Sequence, residues 1–372
     1  MTTKKIYNAI GLMSGTSIDG IDVAYLESDG EAIRHLGGHL TVPYTDQFRE
    51  KLRALIASDC GREGNRDNAW SSVEDELTSL HADAVMRFIS EENLSLADVD
   101  LVGFHGHTTN HDPNRGLTVQ IGDGPKLSCL LHLPVVHDFR SNDVLHGGQG
   151  APLAPIYHAT LCAPVAKPTA VLNIGGVANV TWIGKGGHSL LSFDTGPGNA
   201  MIDDWVRAHG GGDYDESGKN AAAGAVDYAI LEMLLQDPYF IAHPPKSLDR
   251  NTFSRACVEG LTLEDGAATL AMFTAKSIGL AVQHFPMPPK QWIVCGGGRL
   301  NHYIMDCLTR EGSCAVVRSD AMGWNGDAIE AQAFAFLAIR SILELPISFP
   351  GTTGVAEPLT GGRVDVPASH YE

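Results

Sequence analysis

The chain has 372 residues, a length that predicts two domains or three at roughly 150 residues each. Hydrophobic residues make up 44% and charged residues 19%, which is enough apolar material for a sizeable core and argues against global disorder. The formal net charge is −18, and no long basic stripe is present. The charge argues against nucleic acid and anionic membranes as partners, and we expect neither.

Cysteine usage and hydropathy indicate a cytoplasmic protein. The seven cysteines are scattered, with no Cys-x-x-Cys pair, which is typical of reduced thiols. No apolar run approaches the ~20 residues that span a bilayer. The apolar start of the chain contains Asn8 and Gly11 and lacks the cleavage site of a signal peptide.

Two stretches are predicted as β-hairpins with small-residue turns. In chain order, strands are predicted at Ile6–Met13, Ile21–Leu26, His39–Val42, Leu101–Phe104, Leu117–Ile121, Val135–His137, Ala170–Ile174, Val177–Ile183, Leu190–Phe193, Trp292–Cys295 and Ala315–Val317. Helices are predicted at Asp46–Ile56, Trp70–Ser90, Ala200–His209, Ala222–Leu235, Leu263–Phe285, Asn301–Arg310 and Asp327–Leu343. The tail from Pro350 is predicted to be irregular.

The order of these elements indicates an α/β fold with mixed sheets. Each hairpin is followed by a further strand and then by helices, so the pattern indicates an internal duplication whose halves meet near residues 125–165. The His, Gly and Pro-rich stretch from Arg140 to Pro155 is predicted to be a long functional loop at that junction.

The turn of the first hairpin has the composition of a phosphate-binding loop. It reads Gly15-Thr16-Ser17-Ile18-Asp19-Gly20, in which small residues let backbone N–H groups approach phosphate oxygens. Asp19 beside phosphates implies an intervening Mg²⁺ ion. The Gly-Lys-Ser/Thr ending of a Walker A loop is missing. The alternative is an ordinary hairpin turn.

Two further glycine turns offer similar surfaces. Gly175-Gly176, within the run from Asn173 to Asn179, provides a second phosphate turn. Together the two turns would hold one polyphosphate from both sides of a cleft. Gly296-Gly297-Gly298 follows a strand and would let an adenine ring lie against the backbone. A Gly-x-Gly-x-x-Gly Rossmann pattern is not matched there.

Asp194 is a candidate general base. It lies where a predicted strand ends, ahead of an amphipathic helix, and α/β folds place ligands at strand ends. The alternative is an Asp that caps its own turn.

Histidines are dense between residues 105 and 137. Members of this region are His105, His107, His111, His132 and His137. A His-x-His metal site of hydrolase type is one interpretation, and we favour polar residues of a sugar pocket or structural turn histidines.

Arg140 and Glu330 each carry two interpretations. The Arg140 guanidinium suits a ligand carboxylate, or it forms a structural ion pair with Asp138 or Asp143. The Asp327-x-x-Glu330 pattern is a capping box, or Glu330 supplies a second carboxylate to the active site.

Taken together, these residues resemble the anhydro-N-acetylmuramic acid kinase family. The matching runs fall in order along nearly the whole chain: Gly11–Gly20, Gly103–His107, His137–Arg140, Gly147–Pro152, Asn173–Asn179, Asp194–Asn199, Cys295–Gly298 and Asp327–Phe334. Arg299 departs from the family pattern, as does Asn325-Gly326, and we expect Arg299 to alter the adenine rim.

The resemblance implies a two-domain actin-like (ribonuclease H-like) ATPase fold with the nucleotide in the interdomain cleft. On this basis residues 1–135 form the N-terminal domain and 136–372 the C-terminal domain, with the last helix able to pack back on the first. It implies a kinase of peptidoglycan recycling. This enzyme opens the 1,6-anhydro ring of anhydro-N-acetylmuramic acid with water and phosphorylates O6 from Mg-ATP. We also expect a homodimer.

The resemblance also implies site residues. Catalytic roles fall to Asp194 and Glu330, and the metal site falls to Asp19. Nucleotide contacts are expected at Gly15, Thr16, Ser17, Ile18, Asp19, Gly20, Ile21, Asp22, Gly175, Gly176, Asn179, Gly296, Gly297 and Gly298. Sugar contacts are expected at His105, His107, Gln120, Arg140, Gln149 and Gly196, with Arg140 meeting the lactyl carboxylate.

Three rival functions stay open from the sequence. The first is a kinase of a neutral anhydrosugar such as levoglucosan, for which a carboxylate partner would be useless. The second is an ATP-binding sensor module of the same fold that needs no base. The third, a metal hydrolase built on His105 and His107, is the most distant from the pattern.

Overall fold

The computed structural model describes residues 4–15, 17–58, 67–186, 189–248, 250, 252–312 and 314–367. Internal contacts divide the chain into two compact units. The first unit is Met1–Cys162 with Ala328–Glu372, and the second is Ala163–Asp327. Within the described residues the structure contains two sheets, one in each unit.

The strands are β1 (Tyr7–Ser14), β2 (Gly20–Ser28), β3 (Ile33–Pro43), β4 (Leu101–Asp112), β5 (Leu117–Ile121), β6 (Val135–His137), β7 (Thr169–Ile174), β8 (Val177–Ile183), β9 (Leu190–Pro197), β10 (Gln291–Cys295), β11 (Ala315–Arg318) and β12 (Arg363–Asp365). The α-helices are α1 (Asp46–Ala57), α2 (Asn68–Glu91), α3 (Gly124–Leu131), α4 (Ser141–Leu145), α5 (Pro155–Leu161), α6 (Ala200–Ala208), α7 (Lys219–Ala223), α8 (Tyr228–Leu235), α9 (Leu263–Leu280), α10 (His302–Glu311), α11 (Ile329–Ile342) and α12 (Pro350–Thr353). Short 3₁₀ turns occur at Leu96–Asp98, Pro113–Arg115, Glu216–Gly218, Pro238–Ile241, Arg255–Val258, Ala281–His284, Gly297–Leu300 and Ser319–Met322.

The sheet of the first unit has the order β12-β6-β4-β1-β2-β3, with β5 paired to β4. The first three strands form an antiparallel meander, and β4 and β6 follow in parallel with β1. Parallel strands end at one edge of a sheet, where α/β folds bind ligands. At this edge, Ser14 at the end of β1 pairs in register with His107 on β4.

The sheet of the second unit repeats this arrangement. Its order is β11-β10-β7-β8-β9, with an antiparallel meander of β7, β8 and β9 and parallel pairing of β10 and β11. Both units therefore have the strand order 3-2-1-4-5 with the same strand directions. The predicted α/β fold with mixed sheets is confirmed, and the repeated topology agrees with the duplication inferred from the hairpins.

The two units divide after Cys162, whereas the sequence placed the boundary after residue 135. β6 pairs in parallel with β4, which keeps the chain in the first unit beyond residue 135. Chain order alone could not show this, because β6 is three residues long and its partner lies about thirty residues earlier. Helix α11 packs on β1, β2 and β4, so the C-terminal segment belongs to the first unit.

Three predicted segments differ from the structure. In the loop predicted from Arg140 to Pro155, residues Ser141–Leu145 form helix α4. The single helix predicted over Ala222–Leu235 is two helices, α7 and α8, because Gly224 interrupts the pattern and the Asp227 carboxylate caps the N–H groups of Ala229 and Ile230. The tail is not irregular throughout, since it contains α12 and β12, and β12 pairs antiparallel with β6.

Helix α11 lies directly on the backbone of the first sheet. Gly11 and Gly103 face each other in register on β1 and β4. A Cβ built at Gly11 would lie 1.8 Å from the carbonyl oxygen of Ala331, and one at Gly103 would lie 2.2 Å from that of Phe334. Only glycine permits this approach, since a rigid helix backbone cannot move aside as a side chain can.

None of the helices within the described ranges is both long and apolar enough to cross a membrane. None of the six cysteines that fall in these ranges is in a disulfide, and Cys60 lies outside the described residues.

We predict that Gly11→Ala lowers the free energy of unfolding by roughly 1–3 kcal/mol or more, because the added methyl group overlaps the α11 backbone. Gly279→Ala is the matched control. Gly279 lies in α9, and its Cβ would meet nothing within 4 Å. The control substitution should raise stability by about 0.5–1 kcal/mol through helix propensity. Urea unfolding measures both, and equal stability of the two variants would contradict this account of the packing.

Candidate active site

The loop after β1 is held by its own main chain. The N–H of Ile18 donates to the Gly15 carbonyl at 3.0 Å, with Ile18 at a φ of 57°. The N–H of Tyr44 donates to the Asp19 carbonyl at 3.0 Å, and the Ser17 hydroxyl donates to the Asp19 carboxylate at 2.7 Å. The Asp19 side chain is exposed in this fixed loop. Thr16, also predicted as a nucleotide contact, lies outside the described residues.

Gly20, Ile21 and Asp22 lie on β2 rather than in the loop. A Cβ at Gly20 would be 2.5 Å from the Val42 carbonyl oxygen, and Ile21 is buried in the core. The Asp22 carboxylate accepts a hydrogen bond from Thr41 at 2.6 Å. These three residues therefore have structural roles in the sheet, and their contact with a nucleotide remains a prediction.

Four glycines of the predicted nucleotide turns have no steric reason to be glycine. A Cβ built on them would meet its nearest atom at 3.5 Å or more, and none has a positive φ: Gly15, Gly175, Gly176 and Gly297. At ordinary contact distances this chain would accept alanine there. The turns thus leave room that the protein does not fill, as expected where phosphate and nucleoside groups lie against the backbone.

The remaining glycines of the same turns are required by packing. A Cβ at Gly198 would lie 2.2 Å from the Gly175 carbonyl oxygen, and one at Gly298 would lie 2.3 Å from Ile174. Gly296 has a φ of 74° and is equally crowded. Gly196, predicted to contact sugar, packs against Ser277.

The second turn is attached to the start of α6. The carbonyl of Gly175 accepts the N–H of Asn199 at 2.7 Å, and the carbonyl of Gly176 accepts the N–H groups of Gly198 and Ala200 at 3.0 and 3.2 Å. The turn therefore keeps its shape without a ligand.

Arg299 is hydrogen-bonded to the third glycine turn. It is 3% exposed and donates to the Gly296 carbonyl at 3.1 Å. Its other donors reach Asp327 at 2.7 and 2.8 Å and Asp320 at 3.1 Å. The hydrogen bonds to Asp327 and Asp320 raise the pKa of Arg299, so it stays charged. Two carboxylates hold the guanidinium in place, and an effect of Arg299 on the adenine rim stays a prediction.

The capping-box interpretation of Asp327 and Glu330 is also wrong. Helix α11 begins at Ile329 with Ala328 as its N-cap residue, and no side chain caps it. Asp327 is engaged by Arg299 instead. Glu330 is exposed in the first turn of α11, and its negative charge acts on Arg140.

Asp194 lies on β9, paired in register with Asn179 on β8. The N–H of Leu248 donates to its Oδ2 at 2.8 Å, and Oδ1 has no protein partner within the described residues. Burial raises the pKa of Asp194 to about 7, and the Leu248 hydrogen bond opposes that rise. A carboxylate with one oxygen held and a pKa near neutrality has the properties of a general base.

Arg140 binds His105 and the loop that follows it. Its Nε and Nη2 lie 3.1 and 2.9 Å from His105 Nε2, and its Nη1 donates to the Gly150 carbonyl at 2.8 Å. These contacts use three of the five N–H groups of a guanidinium, so two are left for a ligand. Neither Asp138 nor Asp143 is within ion-pair distance of Arg140 in the described structure, so the ion-pair alternative is wrong.

His105 is a buried neutral residue. Its Nδ1 donates to the Gly106 carbonyl at 2.9 Å, and its ring packs on Phe334 at 4.5 Å. Burial and the charge of Arg140 hold the pKa of His105 well below its usual value. Both ring nitrogens are engaged, so His105 has no lone pair left for a metal ion.

His107 is buried beside the end of β1, where the loop described above begins. Its Nδ1 lies 3.0 Å from the Ser14 hydroxyl, which accepts the Tyr44 hydroxyl at 2.9 Å. Burial lowers the pKa of His107 to about 4. No group of three or more His, Cys, Asp or Glu side chains that could hold a metal ion occurs within the described part of the chain.

Two glutamines predicted as sugar contacts lie near this cluster. Gln120 donates to the Thr118 hydroxyl at 2.9 Å and lines a polar cavity of about 180 Å³ together with His105. Gln149 belongs to the loop that Asp143 fixes by accepting the N–H of Gly150 at 2.6 Å. Sequence reasoning brought His105, Arg140 and Gln120 to the same region and missed the role of Asp143.

Sequence reasoning also missed the residues that hold Asp194. Leu248 and Tyr239 contact it from positions 54 and 45 residues away. Neither lies in a recognisable motif, so no local signal in the chain connects them with Asp194.

Comparison with known proteins identifies the family. The sequence model of the family described as "Anhydro-N-acetylmuramic acid kinase" matches residues 7–366. The anhydro-N-acetylmuramic acid kinase of Paramagnetospirillum magneticum is 50% identical over 362 residues, covering 96% of this chain and 99% of that protein. The protein of the same name from Acidiphilium cryptum is 50% identical, with 98% of this chain and all of that protein covered.

A gluconate kinase from Lactobacillus acidophilus is a structural neighbour at 10% identity and a TM-score of 0.46, covering 98% of this chain and 94% of that one. No inference about fold or substrate is drawn from a similarity of this size. The chain belongs to the anhydro-N-acetylmuramic acid kinase family, as the resemblance indicated.

We predict that Asp194→Asn raises stability at neutral and alkaline pH. The folded-state pKa of Asp194, about 7, exceeds the ordinary value near 3.8, so the folded state keeps a proton that the unfolded state loses between these values. The stability of the native protein should therefore fall as pH rises from about 4 to 7, and the asparagine variant lacks this loss. The gap between the two should be small below about pH 4 and about 1–3 kcal/mol larger above about pH 7.5.

Urea midpoints across this pH range measure the gap, because effects of all other groups cancel in the difference. Asp213→Asn is the control for removing one negative charge, since its side chain is 90% exposed. Parallel pH profiles for the native protein and Asp194→Asn would contradict the assignment of a desolvated carboxylate.

Proposed function

We propose that this member of the anhydro-N-acetylmuramic acid kinase family is an ATP-dependent kinase acting on 1,6-anhydro-N-acetylmuramic acid. The enzyme opens the anhydro ring with water and phosphorylates O6, giving N-acetylmuramic acid 6-phosphate and ADP. The observation that carries the proposal is the Asp194 carboxylate, held through one oxygen and with a pKa of about 7.

Asp194 takes the proton of the attacking water. The water oxygen forms a bond to C1 of the sugar as the C1–O6 bond breaks, and the released O6 accepts the γ-phosphoryl group as ADP leaves. Attack opposite the bridging oxygen inverts C1, as in inverting glycoside hydrolysis. A base with a pKa near the working pH combines a useful ionised fraction with good proton affinity, and such bases contribute roughly 100–10,000-fold to a rate.

The proposed phosphate sites are the glycine turns with unfilled space. Gly15 begins the first turn, and Gly175 and Gly176 form the second. Backbone N–H groups in such turns bind phosphate oxygens without adding positive side chains. This arrangement suits a chain of net charge −18, in which the overall field opposes ATP.

We propose that Asp19 holds Mg²⁺. Its exposed carboxylate and the Ser17 hydroxyl beside it are the hard oxygen donors that this ion prefers. When bound, Mg²⁺ neutralises negative charge on the phosphates. The chain's own contribution is a loop already fixed by the Ile18 and Tyr44 N–H groups, so Asp19 needs no rearrangement.

Arg140 is the proposed partner of the lactyl carboxylate. Its two remaining N–H groups and its contact with His105, which lines the same polar cavity as Gln120, support this role. Neutral His105 accepts from the guanidinium and orients it. Glu330 is proposed as a second carboxylate that helps position water. A homodimer and a cytoplasmic location remain predictions of the sequence.

An ATP-consumption assay tests the function. ADP release should require both Mg²⁺ and anhydro-N-acetylmuramic acid, and levoglucosan and N-acetylglucosamine should give little turnover because neither offers a lactyl carboxylate to Arg140. Asp194→Asn should lower kcat by roughly 100–10,000-fold. Ring opening and phosphorylation should be lost together, since O6 becomes an acceptor only as the bridge breaks.

Equal ADP release without sugar, or with the metal chelated, would overturn the kinase proposal. Turnover of levoglucosan equal to that of the muramic sugar would overturn the role of Arg140. An Asp194→Asn protein with near-normal turnover would leave Glu330 as the remaining carboxylate candidate.

We predict that Gly176→Ala weakens nucleotide binding without loss of stability. Its Cβ would meet only the Ala200 methyl group at 3.6 Å, so folding is unaffected or slightly favoured. A methyl group in the phosphate turn should raise the Kd of a non-hydrolysable ATP analogue by about tenfold or more, which corresponds to ~1.4 kcal/mol. Calorimetric titration measures the affinity.

Gly198→Ala is the contrasting variant, because its Cβ would overlap the Gly175 carbonyl oxygen at 2.2 Å. It should lower the melting temperature. Unchanged nucleotide affinity in Gly176→Ala would exclude this turn from the phosphate site.

A further inference from the structure

We propose that Tyr239 is a positioning residue for Asp194, whose main chain it fixes at the open edge of the second sheet. The inference rests on the proposed role of Asp194 as general base. Tyr239 belongs to none of the motifs that carry the family resemblance, and the contact that assigns it is a hydrogen bond from its hydroxyl to the Asp194 carbonyl at 2.6 Å.

The need for such a residue follows from the topology. β9 is an edge strand, so one side of its backbone has no neighbouring strand in the described part of the sheet. Edge N–H and C=O groups must find other partners or water. A general base on an edge strand would therefore sit on the least constrained backbone of its sheet.

The segment from Tyr239 to Leu248 supplies the missing partners. The Asp194 N–H donates to the Lys246 carbonyl at 3.1 Å, its carbonyl accepts the Tyr239 hydroxyl, and its Oδ2 accepts the Leu248 N–H at 2.8 Å. The segment thus binds the N–H, the C=O and one carboxylate oxygen. Oδ1 is the position left for water or substrate.

Tyr239 is itself firmly held. Its N–H donates to the Asp237 carboxylate at 2.8 Å, and its carbonyl accepts Lys246 Nζ at 2.8 Å. The same Nζ lies 4.5 Å from the centre of its ring, and Phe240 and Phe253 contact the ring edge-on. A side chain fixed on several sides can in turn fix the backbone that it contacts.

The charged and titratable groups around this contact keep the hydroxyl in its donor form. Burial raises the pKa of Tyr239, so the phenol stays protonated across the working range. Burial lowers the pKa of Lys246 to about 8, and its Nζ lies 3.3 Å from His284, whose pKa is also lowered by burial. His243 packs edge-on against the His284 ring at 6.0 Å.

Tyr239→Phe tests the inference, because it removes one hydroxyl and keeps the ring contacts. The freed carbonyl should admit water beside Asp194 and reduce its desolvation. We expect kcat at neutral pH to fall about tenfold, with the KM for ATP unchanged. The acid limb of the kcat profile should move down by about one pH unit, toward the ordinary range of a carboxylate.

Tyr228→Phe is the matched control, since Tyr228 lies in the same unit and is 63% exposed. It should leave kcat and the pH profile unchanged. A Tyr239→Phe protein with an unchanged pH profile would overturn the inference, whether its kcat is normal or is reduced together with its melting temperature. The latter result would assign Tyr239 a purely structural role.

A second measurement does not depend on activity. The stability gap caused by Asp194→Asn is measured against pH twice, once with Tyr239 intact and once in the Tyr239→Phe protein. In the Tyr239→Phe protein, the difference in unfolding free energy caused by Asp194→Asn should develop over a narrower pH range. It should also reach a smaller maximum, because the pKa of Asp194 is raised less. Superimposable gap profiles would overturn the inference even if the kinase assay fails for every sugar. Failure of the positioning role and failure of the proposed function are therefore distinguishable.

Discussion

The first unit depends on contact between a helix backbone and a sheet backbone. Gly11 and Gly103 lie in register on neighbouring parallel strands, and the Ala331 and Phe334 carbonyls rest where their side chains would be. This contact fixes both the depth and the rotation of α11. Because Phe334 is on that helix, the contact also sets the surface against which His105 packs. The position of Arg140, His105 and Glu330 therefore depends on the lack of a side chain at Gly11 and Gly103, which lets α11 approach the sheet.

The two units differ in the kind of ionisable side chain that they bury. In the first unit the Arg140 guanidinium lies beside a neutral histidine, so this neighbour adds no positive charge that would oppose its own. In the second unit a carboxylate is desolvated until its pKa approaches 7. The same physical cause, burial without a charged partner of opposite sign, weakens the His105 base and strengthens the Asp194 base, because burial favours the neutral form of each. One fold thereby provides both kinds of group.

The sequence predicted most strands to within a few residues, since alternation and Gly-rich turns are local signals. It also predicted the region containing Arg140. It placed Asp194 where a strand ends, which is wrong, because β9 continues to Pro197 and Asp194 lies within it. What it missed depends on contacts distant along the chain. Asp327 is a partner of Arg299 rather than a helix cap, and the short strand β6 belongs with β4. Tyr239 contacts Asp194 across 45 residues. In each case the role of the residue or strand is set by a contact with a part of the chain that is distant in sequence, and local residue preferences do not reveal such contacts.

The desolvated carboxylate of Asp194 has a consequence for how this fold diverges. If asparagine at this position gives the more stable protein at neutral pH, as predicted above, selection for folding alone favours losing the acid. Only selection for chemistry retains it. A descendant that kept the glycine turns but no longer acted on sugar would be expected to drift to asparagine at this position. If Asp194 is the general base proposed above, the residue at this one position would distinguish working enzymes from nucleotide-binding descendants of the same ancestry.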